Sequence, residues 1–148
     1  MTHATLEHVN YCTPDPLKTA AWMADVFGWK IRWQGPALET GFTMHVGDDA
    51  RYLALYRPSK NLKPVGDTYS RKGGLNHIGV VVDNLDEVEE KVKNAGFRPM
   101  SHADYEPGRR FYFYDDAGVE FEVISYGDGR QAAYTLKYLY DRGRHPPL

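Results

Sequence analysis

The sequence predicts an α+β fold: two tandem βαβββ modules forming one curved mixed sheet around a cavity, followed by a C-terminal helix. Three observations predict it. The segment LEHVNYCTPD (6–15) recurs as LNHIGVVVD (75–83), each opening Leu-X-His, running through β-favouring residues and stopping at an Asp. Each Asp then leads into a segment of helical period that closes on a glycine, 20 positions after His8 at Gly28 and 19 after His77 at Gly96. Short strand-like pieces follow each helix. A βαβββ half cannot bury both its sheet and its helix alone, so two copies placed edge to edge make the smallest stable arrangement.

The first module spans 5–57. After its first strand, Asp15 is placed to cap a helix and Pro16 suits the first helical position. Leu17, Ala20, Ala21, Ala24 and Phe27 make the expected apolar stripe, and Gly28 supplies the left-handed stop. Strands are expected near 30–34, 40–47 and 50–57. Residues 58–74, rich in Pro, Gly and Lys, form a linker loop. The second module spans 75–126, with Leu85, Val88, Val92 and Ala95 as its helical stripe, and strands near 97–102, 109–115 and 118–126. The extension 127–148 reads as helical over 130–142. Tyr134, Tyr138 and Leu139 there are placed to cap the cavity, build a dimer interface or pack on the sheet, and the final HPPL cannot continue a helix.

Composition excludes several classes of function. A chain of 148 residues is one domain in size, and its 26% charged and 42% hydrophobic residues are ordinary for a soluble globular protein. A net charge of -2 offers no footprint for nucleic acid or an anionic membrane. No apolar run approaches the ~20 residues of a membrane span, and no apolar leader follows Met1. One cysteine, Cys12, cannot form an internal disulfide, so a cytoplasmic location is expected.

Strand alternation selects the candidate site. His8 shares a face with Asn10 and Cys12, and His77 with Gly79 and Val81. A pseudo-twofold axis between the modules would set the two imidazoles facing each other across the cavity. In the last strand Glu120 and Glu122 share the polar face, and Glu122 lies deeper. His8, His77 and Glu122 then form a facial set for one divalent metal with open positions for a small-molecule substrate. A histidine in a strand is more commonly a surface or hydrogen-bonded residue, and the Glu pair also suits a solvated edge; the matched repeat positions of the two histidines favour the ligand reading. Tyr112 and Tyr114 alternate with Phe111 and Phe113, which makes them candidates to orient substrate or donate a proton, or simply to pack. His45 is a candidate cavity-lining residue. Arg109 and Arg110 are candidate anion binders or solvated cations. Cys12 fits a small buried filler better than a nucleophile.

These segments resemble the vicinal oxygen chelate superfamily, the glyoxalase/bleomycin-resistance/dioxygenase group. The resemblance rests on LEHVNYCTPD and its helix, on LNHIGVVVDNLDEVEEKVKNAGF and on FYFYDDAGVEFEV, together about residues 5–126. It implies that His8, His77 and Glu122 are metal ligands, and that members are commonly homodimers, some of which build the site from both chains. The turn before Glu122 reads Asp115-Asp116-Ala117-Gly118, with Asp116 where the family usually has Pro. Ala54 stands at the family's fourth ligand position, and its methyl cannot bind metal. Similarity to glyoxalase I chemistry is therefore reduced. A His, His, Glu set without a fourth ligand is similar to extradiol dioxygenases and fosfomycin-resistance enzymes. Phe111-Tyr112 fits the dioxygenase signature, whereas His102 lies slightly too far upstream for it. The resemblance thus implies dioxygenase-type chemistry on a substrate that chelates through adjacent oxygens, with Fe(II) favoured and Mn(II), Ni(II) or Zn(II) for non-redox chemistry. A glyoxalase-like lyase or isomerase is the alternative, and a non-enzymic drug-binding protein the second.

Overall fold

A computed structural model describes residues 1–105 and 108–127. The helix expected over 130–142, with Tyr134, Tyr138 and Leu139, lies outside the described residues. The element order is β1 (His8–Cys12), α1 (Pro16–Phe27), β2 (Lys30–Pro36), β3 (Phe42–Gly47), β4 (Tyr52–Arg57), β5 (His77–Val81), α2 (Leu85–Asn94), β6 (Met100–Tyr105), β7 (Gly108–Tyr114) and β8 (Glu120–Ser125). A 3-10 turn, Leu38–Thr40, joins β2 to β3. Both βαβββ modules are therefore present, and the class is α+β.

The helix ends follow their sequence signals. Asp15 accepts a hydrogen bond from the Lys18 N–H at 3.1 Å, and Gly28 ends α1 at φ 69°. Asn84 caps α2 through the Glu87 N–H at 3.1 Å. The stripe of α1 differs from the expected one. Thr19, Ala20, Trp22, Met23 and Val26 are buried, whereas Leu17 is exposed. Burying Trp, Met and Val removes far more apolar area from water than burying the alanines would, so the helix is turned to favour them.

The ladders make two four-stranded sheets, ordered β1-β4-β3-β2 and β5-β8-β7-β6. In each the first strand runs parallel to the last and stands at an edge. The expected single sheet is thus two sheets within the chain. What joins them is a shared core on their helix-bearing faces. Trp22 of α1 packs edge-on against Phe97, Phe113 and Phe121 of the second module at 5.2–5.7 Å between ring centroids. Met44, Val46, Leu53 and Leu55 from the first sheet and Phe111, Phe113, Phe121 and Val123 from the second belong to the same buried cluster. The apolar payload of the aromatics is buried through the helices, and the open faces of both sheets lie on the far side from this core.

Tyr11 and Asp115 tie the modules together. The Tyr11 hydroxyl donates to Asp115 Oδ2 at 3.1 Å, and Asp115 Oδ1 accepts the N–H groups of Ala117 and Val119 at 2.9 Å. Burial pushes the Asp115 carboxyl above its ordinary range, although those hydrogen bonds oppose the shift. A carboxyl raised on folding contributes stability below its unfolded value and loses it as pH rises through the folded one. Asp115→Asn is expected to remove that loss. Urea midpoints of variant and parent should separate in the variant's favour between about pH 4 and pH 7. Parallel midpoints would contradict it.

Candidate metal and substrate site

The site is built on the open face of the second sheet. On β7 the alternation places Phe111 and Phe113 in the core and Arg110, Tyr112 and Tyr114 on the open face. On β8 it buries Phe121 and Val123 and presents Glu120 and Glu122. Tyr112 sits opposite Glu122 across the β7–β8 ladder, and Gly79 sits opposite Glu122 across the parallel β5–β8 ladder. His77 precedes Gly79 by two residues and so shares its face. A Cβ at 79 would stand 3.9 Å from Glu122 Oε2, an ordinary contact, so this position faces the carboxylate directly.

The two oxygens of Glu122 have different tasks. Oε1 accepts from Arg110 Nη1 at 2.8 Å and from the Tyr112 hydroxyl at 3.0 Å. Oε2 is turned to His77 Nε2 at 3.2 Å. The carboxylate is only 13% exposed. Burial, and then the bond to Glu122, raise the Tyr112 phenol above its ordinary value, which keeps it a donor at neutral pH. Anchoring one oxygen while leaving the other beside an imidazole is how outer-shell groups orient a metal-binding carboxylate. Two adjacent ligands at ~2.1 Å from one ion are about 3 Å apart, so the spacing of Nε2 and Oε2 suits a shared divalent ion. His77 and Glu122 therefore fit a metal.

His8 lies elsewhere in the chain. Its ring stacks on Tyr52 at 4.9 Å, and its Nδ1 is 3.7 Å from Glu7 Oε1. Among the described residues no three His, Cys, Asp or Glu side chains are grouped closely enough to hold an ion. The structure brings His77 and Glu122 together and leaves His8 on the open face of the other sheet. Tyr114 donates to Glu120 Oε2 at 2.9 Å and Tyr69, from the linker, donates to the same oxygen at 3.1 Å, so both sit beside the pair without touching it.

Around His8 the first sheet carries an aromatic row that sequence reasoning identified only in part. His45 stacks on Tyr52 at 4.3 Å, Trp33 lies 5.1 Å from His45, and the Arg32 guanidinium sits 5.0 Å from the Tyr52 ring centre. Burial, followed by His8 and Arg32, lowers the His45 pKa, so its imidazole is neutral at pH 7. His45 pairs across the ladder with Ala54. Alternation along YLALYR would have found Tyr52, which shares the face of Ala54. Arg109 turns away to Asp86 at 2.9 Å and His102 bonds Glu89 at 2.7 Å on the helix side. Cys12, expected as a buried filler, is instead exposed, because it ends the edge strand β1. None of these three joins the site. No described helix is long and apolar enough to cross a membrane.

Comparison with known proteins agrees with this architecture. The family model of the Glyoxalase/Bleomycin resistance protein/Dioxygenase superfamily matches residues 5–123. No curated protein matches the chain. Among solved structures, a glyoxylase/bleomycin resistance protein/dioxygenase domain from Frankia sp. EAN1pec superposes with a TM-score of 0.71 at 19% identity, covering 84% of this chain and 98% of that one. The fosfomycin resistance protein FosX from Mesorhizobium loti gives 0.63 at 18% identity, over 90% and 99% of the two chains. A mutant of FosX from Listeria monocytogenes, in complex with Mn(II) and 1S,2S-dihydroxypropylphosphonic acid, gives 0.65 at 18%, over 89% and 99%. With the motif segments, the paired modules and a family match over most of its length in agreement, this chain belongs to the Glyoxalase/Bleomycin resistance protein/Dioxygenase superfamily.

Proposed function

We propose that this protein is a metal-dependent enzyme acting on a small substrate that chelates one divalent ion through adjacent oxygens. The observation that carries the proposal is the division of labour in Glu122, with Oε1 held by Arg110 and Tyr112 and Oε2 turned to His77. His77 and Glu122 supply two ligands. His8 is the third, and a second copy of the chain delivers it. Among the described residues β1 and β5 each stand at a sheet edge with no partner on the outer side, and the face beside one lacks what the face beside the other holds. An edge-to-edge homodimer would join β1 of one copy to β5 of the other and complete two equivalent sites.

A bound divalent ion would act as a Lewis acid, stabilising negative charge that develops on the substrate oxygens. The chain's own groups do the rest. Tyr112 holds its proton and can hydrogen-bond a substrate oxygen or pass that proton on. His45, neutral and on the face of His8, would approach from the opposite wall and can accept a proton. Ala54 supplies no ligand and no base. Dioxygenase-type chemistry with Fe(II) therefore ranks first, since the open positions left by three ligands suit an oxygenase. A non-redox lyase or isomerase reading draws on the likeness to FosX in complex with Mn(II).

Complementation tests the shared site. His8→Ala and His77→Ala are each expected to lose metal. Co-refolded in equal amounts, half the dimers are mixed, and each carries one intact site of two. Bound metal should then recover to about one quarter of the parent value. Recovery to nothing would place all three ligands on one chain. Undiminished metal in His8→Ala would remove His8 from the set. Oxygen uptake with catechol-like substrates separates the dioxygenase from the lyase, and a protein that takes up no Fe(II), Mn(II), Ni(II) or Zn(II) would instead be a binding protein.

A further inference from the structure

Resting on that metal reading, we propose that Arg110 is the substrate-selecting residue of the site, and that the substrate is an oxyanion, with a carboxylate or comparable acidic group next to its chelating oxygen. Arg110 is a nearly buried cation, 10% exposed, on the open face beside Glu122. Its guanidinium lies 4.7 Å from the Tyr105 ring centre and sends one strong hydrogen bond, at 2.8 Å, to Glu122. Among the described residues its Nε and Nη2 reach the Gly108 carbonyl, at 3.4 and 3.3 Å, and the Tyr112 side chain is a further hydrogen-bonding neighbour of the guanidinium. A guanidinium has five N–H donors in a fixed fork, so donors remain for a ligand.

The charges make the argument. A histidine that ligates a metal is neutral and a glutamate that does so is a carboxylate, so as ligands His77 and Glu122 sum to zero with the Arg110 cation. A divalent ion on His77 and Glu122 brings the cluster to two positive charges beside side chains largely removed from water, Arg110 at 10% and Glu122 at 13% exposed. Orienting Glu122 does not require that cost, because the Tyr112 hydroxyl already holds the same oxygen without adding charge. An arginine here is therefore unfavourable for a neutral diol and favourable for an anionic chelator, which neutralises the ion and accepts the free donors of the fork. Glu120, also on this face, is occupied by the hydroxyls of Tyr69 and Tyr114, which places negative charge on the side away from Arg110 and directs an anion towards it.

Mn(II) binding read by calorimetry tests the assignment, with glycolate and ethylene glycol as two-carbon probes, one with a carboxylate where the other has a hydroxymethyl group. In the parent protein glycolate is expected to tighten Mn(II) binding at least tenfold, and ethylene glycol to leave it unchanged. Arg110→Met is expected to weaken Mn(II) alone by up to about 10–100-fold, as loss of one outer-shell partner of Glu122 does, and to lose the glycolate effect, read as the ratio of Mn(II) affinities with and without glycolate in the same variant. Arg110→Lys, which keeps the charge without the fork, should retain part of it and guards against a folding defect in the first variant. If Arg110→Met keeps the full glycolate effect, or binds no Mn(II) at all, Arg110 merely anchors Glu122 and the proposal fails while the metal reading stands. If the parent binds no Mn(II), both fail.

Discussion

Glu122→Gln is expected to weaken Mn(II) or Fe(II) binding by on the order of a hundredfold or more, since disturbing a ligand's outer-shell partner alone costs about 10–100-fold. The amide keeps the shape of the carboxylate and one acceptor oxygen, so the loss is one of charge. It also strands Arg110. Arg110 and Glu122 are 10% and 13% exposed, so removing the anion leaves an almost buried guanidinium uncompensated. Breaking a fully buried pair costs about 3–5 kcal/mol; discounting for the residual solvent here gives roughly 1–3 kcal/mol. Metal titration and urea unfolding of the same variant read the two effects separately. Retained metal affinity would remove Glu122 from the ligand set, and unchanged stability would mean that water already screens the pair.

The second large effect is structural. Trp22→Ala is expected to cost about 3–5 kcal/mol, as for other aromatic truncations in a core. Trp22 meets Phe27, Phe97, Phe113 and Phe121, so its loss opens a cavity where the modules join. Trp22→Phe should be far milder. It keeps an aromatic ring and removes an indole N–H that is buried without an acceptor among the described residues. That orphaned donor costs about 1–3 kcal/mol, which offsets part of the smaller ring's lost packing. Chemical denaturation of both variants checks the ordering. Equal destabilisation by Ala and Phe would show that the indole, rather than aromatic filling, holds the modules together.

Much of this molecule was legible in its residues because the signals are local. The Leu-X-His openings, the Asp15 cap and the Gly28 stop depend on neighbours within a few positions, and each has its expected place in the structure. Alternation separated Phe111 and Phe113 from Tyr112 and Tyr114 along FYFYDD, and Phe121 from Glu122 along VEFEV, because strand side chains alternate regardless of what lies beyond; the ladder then set Tyr112 beside Glu122 and buried the three Phe rings together. The face of α1 was harder. Trp22 and Met23 are adjacent, and which flank of a helix is buried depends on what stands beside it.

By itself, then, the sequence determined the two modules, their order and the superfamily, and it proposed a set of His8, His77 and Glu122, of which the structure places His77 and Glu122 side by side. Only the tertiary structure decided how the modules meet. Their helix-bearing faces close on a common aromatic core, the outer edges of β1 and β5 have no partner among the described residues, and His8 is left on a different open face from Glu122. The structure also decided that Arg110 reaches the Glu122 carboxylate while Arg109 turns away to Asp86. The reason is physical. Alternation fixes a side chain to a face of its own strand, but the relation between two faces is set by which large apolar surfaces bury one another, and those surfaces lie far apart in the chain.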